Sequence, residues 1–110
     1  MTVETLPRRR KPGAEDEQRR RARAIVAPYV KRMEGWQVQA ARLRALATAE
    51  RTTEDERVEA KVAIGELRND VLATIDDLTK ALNGTPPFNR VVDVLTALRR
   101  LEEQLRDALV

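Results

Sequence analysis

The chain contains neither cysteine nor histidine among its 110 residues. The first absence excludes disulfides, thiolate metal sites and cysteine nucleophiles. The second removes the commonest general base and the commonest metal ligand. Aromatic residues are scarce: Tyr29, Trp36 and Phe88 are the whole set. No apolar run approaches the roughly 20 residues that cross a bilayer. The early arginines are not followed by an apolar segment, so the start does not read as a secretory signal. The expectation is a soluble cytoplasmic protein with no membrane contact, or one housed within a virion or other assembly.

Catalytic patterns are missing as well. The chain has no ExxH, GxxxxGK[ST], GxSxG or GxGxxG sequence. The acid pairs Asp76-Asp77 and Glu102-Glu103 are neighbours in sequence, so on a helix they diverge by about 100° and cannot share a site. Asp76/Lys80 and Glu102/Arg106 read as i,i+4 surface pairs. Arg57 is the one charge at an apolar seam position. The expectation is a protein that is not an enzyme, with no cofactor, no metal and no small-molecule substrate.

What the chain does have is 42% apolar residues and 35% charged residues. With so few large rings, a core must come from long amphipathic helices. Residues 1–13, with Pro7, Pro12 and Gly13, show no apolar periodicity and read as a flexible arm. From residue 14 the acid-to-base pairs Glu15/Arg19, Asp16/Arg20 and Glu17/Arg21 favour a helix. Pro28 implies either a kink or a second helix starting there. Val26, Tyr29, Met33, Trp36, Ala40, Leu43 and Ala47 then form a seam with spacings of three and four, carrying the helix to about residue 50.

Thr53 and Glu56 form a capping box that opens the next helix, over 54–82. Its seam is Ala60, Ile64, Leu67, Val71, Thr74, Leu78 and Ala81, widened by Ile75 and Leu82. Asn83-Gly84 supplies a stop. Thr85-Pro86-Pro87 reads as a cap with prolines in a first turn, opening a helix over 87–109. That helix uses Val91, Val94, Leu98, Leu101, Leu105 and Ala108, with Leu95 and Leu109 alongside. Short connections force neighbouring helices antiparallel. The predicted fold is all-α: an elongated antiparallel three-helix bundle, or a long helical hairpin with a third helix laid back along it, packed in coiled-coil fashion.

Charge is segregated along the chain. Residues 1–23 carry eight basic and four acidic side chains, and the remainder carries 13 and 14. Arg8, Arg9, Arg10 and Lys11 sit between prolines with no acid within three residues, which suits salt-dependent phosphate contacts. They have no aromatic neighbour for base stacking. The plainer alternative is a solvated tail or one that meets an acidic protein. Arg19, Arg20 and Arg21 each follow an acid by four residues, which leaves Arg23 as the unpaired member and the best further candidate. The helices are too long for a helix-turn-helix.

A second set of apolar residues lies off the seams: Val58, Val62, Gly65 and Leu72, then Val92 and Leu95, with Val30 and Val38 on the first helix. Either the third helix covers them or they meet a partner. Gly65 would permit close helix approach. Tyr29 and Trp36 read as core anchors. The functional expectation is a small assembly protein, for example in a packaging or nucleoprotein complex. It would oligomerise or dock on a helical partner and touch DNA or RNA non-specifically through its arm. The alternative is a protein–protein adaptor with no nucleic-acid role.

Overall fold

The computed structural model describes residues 13–110, so Arg8, Arg9, Arg10 and Lys11 lie outside the described residues. Three helices follow one another: α1 (Ala14–Thr48), α2 (Glu54–Ala81) and α3 (Asn89–Ala108). Each packs against the other two, giving an all-α three-helix bundle. The short connections make α2 antiparallel to both neighbours.

Glu15, Asp16 and Glu17 occupy the first turn of α1, where the helix dipole favours negative charge. The helix then runs unbroken through Pro28 to Thr48, so no second helix begins at the proline. Pro28 cannot donate to the Ala24 carbonyl. Both residues are exposed, so water can satisfy that oxygen. No basic residue lies in the last turn of α1. Arg57 of α2 supplies the cation instead: its Nη2 donates to the carbonyl of Ala49 at 3.0 Å and to that of Glu50 at 3.4 Å. The charge at the predicted seam thus closes the α1–α2 corner.

The α2 N-terminus has the capping box. The Thr53 hydroxyl accepts from the Glu56 amide at 3.1 Å, and the Glu56 carboxylate accepts from the Thr53 amide at 2.9 Å. At the other end Leu82, not Ala81, is buried, because the chain is already turning there. The Asn83 amide donates to the Lys80 carbonyl and Gly84 adopts φ 82°, a left-handed conformation that glycine takes without steric cost. The prolines precede α3 instead of filling its first turn. Phe88 is the N-cap, its amide donating to the Pro86 carbonyl at 2.8 Å.

The core is continuous from Ala22 and Val26 of α1 through Ile64, Val71 and Leu78 of α2 to Leu98 and Leu105 of α3. Tyr29 and Trp36 are half-buried and pack against it. Ala22, one step before the predicted seam, is also buried. At 1.5 Å per residue α3 spans about 30 Å and α2 about 42 Å. The first two turns of α2 therefore project beyond α3. That end leaves a groove lined by Ala47, Thr48, Glu54, Arg57, Val58 and Lys61.

Candidate interaction surfaces

The start of α1 is more openly cationic than its sequence suggests. Of the three i,i+4 pairs only Glu15–Arg19 closes, with Nη2 3.5 Å from Oε2. The Arg19 guanidinium also lies over the Phe88 ring, 4.6 Å from its centroid. Such a contact is electrostatic attraction to the ring face. It ties α1 to the entry of α3. Arg20, Arg21 and Arg23 are exposed, and none forms an ion pair with a described carboxylate. Arg23 is therefore not singular in lacking a partner: Arg20 and Arg21 also make no ion pair with the acids four residues before them. Four-residue spacing brings side chains near each other without requiring contact.

The second apolar set divides. Val58 is 52% exposed, Val62 57%, Leu72 40% and Val92 45%. Successive steps of four, three and seven from Val58 reach Val62, Gly65 and Leu72, which puts all four on one face of α2. Leu95 is not among the uncovered residues; it packs against the core, as does Val30. Val38, by contrast, is 62% exposed. Gly65 approaches no other helix within the chain, since a Cβ there would have nothing within 4 Å. Val58 lies two positions from the buried Ala60 and so points away from the seam of α2, as Leu72 does beside α3. A groove between α1 and α3, lined by Gln37, Asp93, Thr96, Ala97, Arg100 and Gln104, is shallow and polar.

One feature of the charge pattern escapes sequence reading. Glu102 is buried, not a surface residue. Its Oε2 accepts from Arg68 Nε at 2.8 Å, across α2 and α3, while Arg106 Nη1 stands 3.9 Å from Oε1. Arg68 follows the fully buried Ile64 by four residues, and Glu102 follows Leu98 likewise. That spacing places both on the flank of a seam, and it is the signal that could have revealed the pair. Asp76 pairs with Lys80 at 3.0 Å on the surface and holds that ammonium above its usual pKa by hydrogen bonding and charge.

Charge also differs by helix. α1 carries eight basic and four acidic side chains, α2 four basic and eight acidic, and α3 four of each. Every one of the acids on α2 is exposed. Among the described residues no ion pair joins α1 to α2. No group of three or more acidic side chains is placed to hold a metal ion among the described residues. No described helix is long and apolar enough to cross a membrane. No protein-family model matches the chain, and no curated protein or solved structure matches it either.

Proposed function

We propose that this protein is a small assembly factor that associates through its helices and contacts nucleic acid through its basic N-terminal segment. The observation that carries the reading is the exposure of Val58, Val62, Leu72 and Val92 beside a completed core. Large apolar side chains left outside a filled core favour burial against another chain, at about 25 cal/mol per Å² removed from water. The cationic run Arg8, Arg9, Arg10 and Lys11 adjoins Arg20, Arg21 and Arg23 in sequence. Contacts between such guanidinium groups and phosphates release counterions without reading bases.

The test is fluorescence anisotropy of a labelled DNA duplex against the full chain at rising salt, with the variant Arg8, Arg9, Arg10 and Lys11→Ser beside it. Binding should weaken steeply with salt, and the variant should bind less tightly with a shallower salt slope. Equal binding by the two proteins removes the arm from the reading. No binding by either at physiological salt leaves the adaptor reading, in which the exposed apolar face alone serves a protein partner.

A further inference from the structure

The net excess of base on α1 equals the net excess of acid on α2, yet no ion pair among the described residues joins the two helices. These two helices lie side by side, and among the described residues no further helix lies on the face they share opposite α3. On that face α1 presents Arg32, Arg42 and Leu46, the last 42% exposed. α2 presents Glu59, Val62 and Asp70, all exposed. Thr48 and Glu54 end their helices level with each other, so equal steps back along α1 and forward along α2 stay level. Arg42 is then level with Ala60, beside Glu59, and Arg32 is level with Asp70.

We propose that this face docks on the same face of a second copy, about a two-fold axis parallel to the helices, so that α1 of each protomer lies antiparallel on α2 of the other. Such an axis preserves level. It sets Arg42 opposite Glu59 of the partner subunit and Arg32 opposite Asp70 of the partner subunit, each twice. It also encloses Leu46 and Val62. The perpendicular two-fold axis would instead stack α1 on α1 and α2 on α2, pressing like charge on like, which costs free energy at close range. The charge distribution thus selects both the occupant and its orientation. An isologous contact of this kind closes on itself and stops at a dimer.

The proposal rests on the self-association in the reading above and is independent of nucleic-acid contact, so its test contains no nucleic acid. Light scattering on a sizing column should give the full chain twice its 12.5 kDa mass at tens of micromolar, with the dimer weakening as salt screens the pairs. Two charge-reversed proteins decide the geometry. One carries Arg32→Glu and Arg42→Glu; the other carries Glu59→Lys and Asp70→Lys. Each alone sets like charges against each other and should be monomeric, with circular dichroism confirming that it remains helical. Mixed in equal amounts they should form a heterodimer, since both contacts then unite opposite charges. A monomeric parent chain, reversed variants that still dimerise, or a mixture that stays monomeric each overturns the proposal. So does loss of the parent dimer in the Arg8, Arg9, Arg10 and Lys11→Ser protein, which would place the arm, not α1, on the acids of α2.

Discussion

Arg68 Nε lies 2.8 Å from Glu102 Oε2, joining α2 to α3 at the level where both helices bury their seams. Glu102 keeps 11% of its side chain in contact with solvent and Arg68 31%. Removing the guanidinium leaves the carboxylate facing Arg106 alone, at 3.9 Å. A fully buried pair broken on one side loses about 3–5 kcal/mol. The access of Arg68 to water reduces this, and Arg68→Met should destabilise by about 2 kcal/mol. The double variant Arg68→Met, Glu102→Leu should recover most of the loss, because no unpaired charge then remains. Urea unfolding of the parent, both single variants and the double variant measures the coupling. Additive losses would show that the pair does not act as a unit.

The box at the start of α2 gives a pH dependence. The backbone amide and hydroxyl of Thr53 hold the Glu56 carboxyl below its usual 4.5, the amide being the stronger cause. A carboxyl depressed on folding contributes stability that is fully present above its unfolded pKa and is lost as pH falls through the folded value. Glu56→Gln should therefore melt below the parent at pH 7, and the gap should close as pH drops below about 4.5. A gap that stays constant to pH 3 would deny the charge any role. Thr53→Ala removes the other half of the box and should cost about 1 kcal/mol at pH 7.

The capping box was legible because its chemistry is local: four residues and two hydrogen bonds define it. The same holds for the stop at Asn83-Gly84 and for the seams, whose apolar spacing repeats over many turns. Four things were not legible, and each depends on another part of the chain. Leu95 and Val30 are off-seam by spacing, but a third helix gives them something to pack against. Arg57 reads as a misplaced charge until the Ala49 and Glu50 carbonyls, just past α1, arrive beside it. Glu102 resembles any surface acid until Arg68 faces it. Arg19 has its acid partner in sequence but also finds the Phe88 ring, which only the fold brings near. Of the candidate surfaces, exposure of Val58, Val62, Leu72 and Val92 follows from their spacing. The opposition of a basic α1 to an acidic α2 does not follow from a net charge taken over residues 24–110, where it cancels.

Pro28 is a cost that the fold carries inside α1. It is exposed and makes no contribution to the buried core, while depriving the Ala24 carbonyl of its helical partner. Pro28→Ala restores an amide donor at that position and a better helix former. Thermal melting should rise, by the equivalent of about 1–3 kcal/mol, the upper end being the full penalty of proline in a helix interior. Unchanged or lower stability would show that the surrounding packing depends on a bend at this position.

Gly65 separates a structural role from an interfacial one. An added Cβ would meet nothing within 4 Å inside the chain, so the fold has no steric use for glycine there. Alanine is better than glycine in a helix interior by about 0.8–1 kcal/mol. Gly65→Ala should accordingly raise the urea midpoint of the isolated chain with no change in the slope of the transition. Gly65→Leu should also leave the fold intact, because the first atom of the new side chain meets nothing within 4 Å. The two variants then diverge in association. If the face bearing Val58, Val62 and Leu72 takes a partner helix closely, Gly65→Leu weakens that complex while Gly65→Ala barely affects it. Equal association by parent and Gly65→Leu would show that this face does not receive a close-packed helix, leaving glycine at this position without a role in docking.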